Sequence, residues 1–204
     1  MMVDGNAEQA ARKTQHSTDP EALVQRLGRR SLTVATAESL TAGALASRIA
    51  DVPGASVALL GGVVSYSNGV KEQVLGVDAE LLESRGAVDG GVAAQMARGA
   101  ARVCAAGIGV ATTGVAGPEP HQGKSVGTVY LGFYVDAGVV QRLRLTFPAE
   151  CSSEDTVSDR GALSGFRLLG LNGDRKSIRK ASVEGALQLV NDLLQTEPAS
   201  LPDA

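Results

Sequence analysis

Four short apolar runs constrain this chain most: SLTVATAES (31–39), SVALLGGVVSYS (56–67), GIGVATTG (107–114) and SVGTVYLGFYVD (125–136). Each is rich in small or β-branched residues and bounded by Gly, Pro or hydroxyl residues, as strands of a covered sheet are. The second is expected as a buried strand interrupted by its Gly pair. Stretches of helical period lie between them. PEALVQRLGRR opens at Pro20, a first-turn proline, and puts Leu23, Val24 and Leu27 on one face. TAGALASRIADVPG stops at the Val52-Pro53-Gly54 turn, residues 78–84 read as a helix, and GVAAQMARGAARVCA (91–105) is Ala-rich and amphipathic. VVQRLRLTF (139–147) alternates apolar and polar residues, predicting a strand paired in a hairpin around Asp136–Gly138. FRLLGLNG is the expected last strand, and a helix from about Asp174 to Leu194 closes the domain. The pattern predicts an α/β fold, a single compact layered domain with a mixed β-sheet flanked by helices.

Its 204 residues suit one such domain, placed at 20–195 between a disordered tail (1–19) and a frayed one (196–204). With 25 glycines, no Trp and only 3% aromatic residues, the core must be built from Ala, Val, Leu and Ile. A net charge of −3 argues against broad nucleic-acid binding, which needs a basic face. No apolar run approaches the roughly 18–20 residues of a membrane span, and the polar start is no signal peptide. Two cysteines and two histidines exclude a disulfide framework and a cysteine-based or all-histidine metal site. The expectation is a cytoplasmic protein with no membrane and no nucleic-acid partner. A symmetric homodimer is the base-rate arrangement for an enzyme of this size.

Four motifs can carry chemistry. In Ala37-Glu38-Ser39-Leu40-Thr41-Ala42-Gly43 a strand gives way to a helix, where unpaired N–H groups suit a phosphate or a developing oxyanion. Read alone, the motif favours Ser39 as a plain N-cap. In Tyr66-Ser67-Asn68-Gly69-Val70-Lys71, Lys71 can activate a serine if a dry pocket keeps its amine neutral. By itself this motif favours a solvated Lys beside a Tyr with a buried ring. Thr112-Thr113-Gly114-Val115-Ala116-Gly117-Pro118 runs from a strand into a hydroxyl- and Gly-rich loop, but its spacing is not that of a dinucleotide or ATP loop. Gly173-Asp174-Arg175-Lys176-Ser177-Ile178-Arg179 offers Asp174 as N-cap and Arg175 and Arg179 on one helix face, either an anion site or a solvated basic face. His121 sits in a polar loop and is expected to be exposed.

Together these segments, with GGVVSYSNGVK, MARGA, VGTVYLGF and GDRKSIR in order, resemble the CinA carboxy-terminal domain family over most of the chain. Characterised members are nicotinamide-nucleotide amidases. The resemblance implies hydrolysis of the carboxamide of nicotinamide mononucleotide to nicotinic acid mononucleotide and ammonia, in pyridine-nucleotide salvage, with no metal or other cofactor. It implies Ser39 as nucleophile, Lys71 as its activating partner, and Tyr66 beside them as a route for the proton. Thr41, Gly43, Asn68, Thr113 and Gly114 fall where the family builds its substrate pocket, and Arg175 and Arg179 where cations would face the phosphate.

Three features depart from the family form. Cys-Thr-Gly-Gly commonly follows the serine, but Leu40-Thr41-Ala42-Gly43 stands here, which excludes a thiol and adds a methyl. Lys124-Ser125-Val126 replaces a sequence in which Pro precedes Val. A stretch without periodicity, 148–165, is expected as a long loop or insertion, and its Ser158-Asp159-Arg160 mimics the later Gly-Asp-Arg motif. Many relatives also carry an amino-terminal molybdopterin-binding-like domain, for which this chain has no space. The competing reading is a nucleotide-binding or regulatory protein that keeps the pocket without turnover.

Overall fold

Helix α1 (Pro20–Arg29) begins where the sequence places it, with Asp19 as its cap, the side chain accepting from the Glu21 N–H at 3.0 Å. Asp19 therefore belongs to the fold rather than to the tail. A computed structural model describes residues 19–148, 150–153 and 161–195; the expected tails at 1–18 and 196–204 lie outside these. The chain continues through β1 (Val34–Glu38), α2 (Ala44–Ala50), a 3-10 turn (Ala55–Val57), β2 (Leu59–Val64), α3 (Asn68–Gln73), α4 (Ala79–Arg85) and α5 (Gly90–Cys104). Then follow β3 (Ile108–Gly114), β4 (Thr128–Val135), α6 (Ala137–Leu143), the two-residue β5 (Ser152–Ser153), β6 (Leu163–Gly170) and α7 (Arg175–Gln195).

The strands form one mixed sheet in the order β2-β1-β3-β4-β6-β5. β1 runs parallel to both β2 and β3, whereas β4, β6 and β5 add antiparallel. The carboxyl ends of the three parallel strands therefore open on one edge, where ligands bind in open α/β sheets.

Alternation along the strands divides the core in two. Val34, Ile108, Val110, Val129, Leu131 and Phe133 pack beneath α1, α2 and α7. On the opposite face Ala35, Ala37 and Ala111 meet Val92, Met96, Ala97 and Ala100 of α5. That second interface is built largely from small residues because the helix backbone lies directly on the sheet. A Cβ at Gly109 would collide with the Ala97 carbonyl oxygen, and one at Gly132 with that of Ala93. Gly109 and Gly132 are thus required by the close approach of α5 to the sheet.

Three expectations change. SVALLGGVVSYS is not buried: β2 is an edge strand, half-exposed, and its Gly pair lies within it. VVQRLRLTF is not a strand, because Asp136 caps a helix by accepting from the Gly138 N–H at 2.8 Å, and α6 takes the segment instead. Nor is 148–165 wholly loop, since Ser152 and Ser153 pair with Phe166 and Gly165, and β6 already starts at Leu163. Ser158-Asp159-Arg160 lies outside the described residues. Among those described, no helix is long and apolar enough to cross a membrane.

Candidate functional site

The turn joining β1 to α2 is held from every side. Ser39 continues the sheet by donating its N–H to the Thr112 carbonyl at 2.9 Å. Glu38, buried at the end of β1, turns its carboxylate onto the first turn of α2 and accepts from the N–H groups of Gly43 (2.9 Å), Leu45 (3.0 Å) and Ala46 (2.8 Å), with the Thr36 hydroxyl adding a fourth donor. The helix terminus that the sequence offers to a phosphate is thus occupied by the chain's own anion. Ser39 is likewise no N-cap; that position belongs to Gly43, in a left-handed conformation and without a side-chain cap. The Ser39 hydroxyl is left free for another partner.

That partner is Lys71. Ser67 caps the short helix α3, which turns Lys71 inward to 1% exposure. Its Nζ donates to the Ser65 carbonyl at 2.7 Å and lies 3.3 Å from Ser39 Oγ. No carboxylate among the described residues forms an ion pair with it. Desolvation by burial therefore pulls the amine from its usual 10.5 to about 8. A buried, uncompensated amine touching a serine hydroxyl can take the hydroxyl proton.

These groups line a cleft of about 440 Å³ at the carboxyl edge of the parallel strands. Ser39, Leu40, Tyr66, Asn68, Lys71, Thr113, Gly114 and Arg175 all contribute to its wall. Thr113 is anchored by donating its hydroxyl to the Ala87 carbonyl at 2.6 Å, so Ala87 and Val88 line the cleft as well. Tyr66 is 60% exposed, and its hydroxyl accepts from Arg175 Nη2 at 3.0 Å rather than contacting Lys71. Lys71 reaches Ser39 directly, and a proton route through Tyr66 has no support in this geometry. His121 is exposed, as expected, but stands on the cleft rim with Glu119.

Three residues expected in the pocket stand behind it instead. Thr41 is buried with its hydroxyl 2.7 Å from that of Thr112, and Gly43 gives its N–H to Glu38. The two arginines of α7 part company. Arg175 is exposed at the cleft and donates to the Gly117 carbonyl at 2.8 Å, whereas Arg179 is half-buried and donates to the carbonyls of Leu40 and Thr41, both at 2.9 Å. Sequence reasoning missed Glu38 altogether. The signal was present, since an acidic residue ending an apolar strand just before a helix is placed to satisfy that helix's first N–H groups.

Known proteins share this architecture. A CinA-like protein of Frankia casuarinae is 42% identical over 174 residues, 85% of this chain and 34% of that protein. A putative competence-damage inducible protein of Geobacillus kaustophilus is 47% identical over 148 residues, 72% of this chain and 34% of its own length. The chain thus spans about a third of these curated relatives. Among solved structures, a competence-damaged protein (CinA) superfamily protein from Escherichia coli superposes with a TM-score of 0.71 at 26% identity, covering 94% of each chain. A competence/damage inducible protein from Agrobacterium tumefaciens does so with a TM-score of 0.69 at 31% identity, covering 87% of this chain and 96% of that one. With residues 16–170 also matching the model of the CinA C-terminal domain, the chain belongs to the CinA C-terminal domain family.

Proposed function

We propose that this protein is a serine–lysine amidase that hydrolyses the carboxamide of nicotinamide mononucleotide to nicotinic acid mononucleotide and ammonia. The observation that carries the reading is the Lys71 amine, buried, without a counterion among the described residues and 3.3 Å from Ser39 Oγ. Ser39 Oγ attacks the carboxamide carbon, and its proton passes to neutral Lys71. The N–H groups of Leu40 and Thr41 have no acceptor among the described residues and are the available donors for the tetrahedral oxyanion. Collapse breaks the C–N bond, and the Lys71 ammonium returns the proton to the departing nitrogen, giving ammonia. Water, deprotonated by Lys71, then cleaves the acyl ester, and the proton resets Ser39. The pyridinium charge draws electrons from the carbonyl and assists both attacks.

Arg175 at the rim supplies a cation for the 5′-phosphate. The test is ammonia release from the nucleotide by wild type, Ser39→Ala and Lys71→Ala. Both substitutions are expected to lower kcat/KM by about 1,000-fold or more. Full turnover in Ser39→Ala would remove the nucleophile assignment, and nucleotide binding with no wild-type turnover would favour a regulatory binder. Arg175→Ala is expected to raise KM for the nucleotide about 10- to 100-fold, the worth of a charged hydrogen bond. The riboside, which lacks the phosphate, should be affected far less, and equal effects on both would remove Arg175 from phosphate recognition.

A further inference from the structure

The geometry points to Arg179 as a positioning residue for the nucleophile turn rather than a ligand for substrate phosphate. The inference deepens the amidase reading and rests on it for Ser39's role. It follows from an accounting of the backbone groups of the turn. The Ser39 N–H is bound to Thr112, the Ser39 carbonyl accepts from the Ala42 N–H at 3.2 Å, and the Gly43 N–H is bound to Glu38. The carbonyls of Leu40 and Thr41 remain, and Arg179 takes both through Nε and Nη2, from 139 and 138 residues away in sequence. Thr41's carbonyl also accepts from the Ala44 N–H at 3.2 Å.

A trans peptide points its N–H opposite to its C=O. With the guanidinium on the Leu40 carbonyl, the Thr41 N–H of the same peptide is directed away from the cation and left without an acceptor among the described residues. The cation also draws electron density from that carbonyl, making the N–H across the peptide a stronger donor. A planar fork with donors at fixed separation spans two successive carbonyls, and a lysine, with one compact ammonium, does not reproduce it. Arg179's contacts are therefore those of a clamp on the turn carrying Ser39, while Arg175, one helical turn earlier, faces the cleft.

The test reads Ser39 reactivity without assuming a substrate. A small dialkyl fluorophosphate labels an activated serine: the Oγ–P bond forms, the P–F bond breaks, fluoride leaves and the hydroxyl proton passes to Lys71. Labelling rates at Ser39 are measured by mass spectrometry, each protein held 20 °C below its own melting temperature as a set condition, on the order of several stabilising increments. Arg179→Ala is expected to label at least about tenfold more slowly than wild type, with added ethylguanidinium restoring the rate. Arg179→Lys should fall between them and covers the case in which the alanine variant does not fold. In turnover, both variants should lower kcat and leave KM nearly unchanged for nucleotide and riboside alike. Wild-type labelling rates in Arg179→Ala, or a rise in KM confined to the nucleotide, overturn the proposal. Labelling of the wild type without ammonia release would instead remove the substrate reading, with Arg179's role still decided by the ratio of labelling rates.

Discussion

The two halves of the sheet treat buried charge in opposite ways. In the antiparallel half, Arg167 of β6 donates to Asp192 of α7 at 2.8 Å, an ordinary half-buried ion pair. Burial alone would lower the Arg167 pKa, but the hydrogen bond and charge of Asp192, with Cys151 adding, outweigh it and leave the guanidinium firmly protonated. In the parallel half, Lys71 is more deeply buried and pairs with no acid among the described residues, although Glu38 adjoins Ser39 in sequence. Glu38 is fully engaged by backbone N–H groups and Thr36, so the acid that would neutralise Lys71 is turned away from it. Charge is paired where it holds the fold and left unpaired where the proposed amidase would move a proton.

The largest effect expected from this contrast concerns Lys71. Folding holds its pKa near 8 against 10.5, which at about 1.4 kcal/mol per tenfold is roughly 3 kcal/mol against the folded state at pH 7. The sign follows from proton counting. Below pH 8 both states carry the proton and the penalty is complete. Between about 8 and 10.5 the unfolded chain holds a proton that the folded one has lost, so stability rises with pH. Lys71→Met removes the penalty but also the hydrogen bond to Ser65, worth about 1 kcal/mol, for a net gain near 2 kcal/mol at pH 7. Denaturant melts at pH 7 and pH 10 should show the gain at the lower pH and little at the higher. Under the proposed amidase mechanism, kcat/KM should follow the same titration, climbing about tenfold per pH unit up to about 8 and then levelling. A variant less stable than wild type at pH 7, or a flat pH–rate profile, would break the contrast from the Lys71 side.

Asp192→Ala approaches it from the other side. It removes the acid partner of the Arg167 guanidinium, whose side chain is only 12% exposed and which keeps its contact with Cys151, and it also removes the acceptor for Gln188. Breaking a fully buried pair costs more, but solvent access to this one reduces the loss to about 1–2 kcal/mol. The loss should be nearly constant between pH 6 and 9, since the Arg167 guanidinium, held in its protonated form by Asp192 and Cys151, keeps its charge throughout that range. A pH-dependent loss would mean that the two halves are not electrically distinct.

The parts of this design that could be read from sequence were those fixed by local periodicity. The strand runs at 31–39, 107–114 and 125–136 and the helix at 91–105 each declare their period within a dozen residues, and the structure keeps them. VVQRLRLTF shows where local pattern misleads: the six alternating residues 142–147 satisfy a strand template, yet Asp136 and the end of β4 just before it start a helix. The family motifs brought Ser39 and Lys71 to notice, but no spacing rule shows whether two residues 32 apart will meet. Arg175 and Arg179 share a helix face and look equivalent in sequence. Four residues of rise, about 6 Å, is enough to send one to the cleft and the other behind it. Glu38's role depends on three N–H groups that exist as unpaired donors only once α2 has formed.

The smallest effect tests how tightly the nucleophile turn is held. Ala42 sits at φ +53°, followed by Gly43 at φ +94°, two successive left-handed residues that let the chain leave Ser39 and enter α2. An L side chain in that region costs about 1–2 kcal/mol. Ala42 is exposed, so its methyl gains little packing in return. Replacement by glycine relieves the strain but gives the unfolded chain more freedom, about 0.4–1 kcal/mol. The net expectation for Ala42→Gly is a gain of about 0.5–1 kcal/mol, a rise in Tm of about 1–4 °C for a chain this size. Calorimetry on wild type and variant decides it. A loss of stability instead would mean that the rigidity of alanine contributes more than its strain costs, and that the turn is held by restricting its alternatives as well as by Glu38 and Arg179.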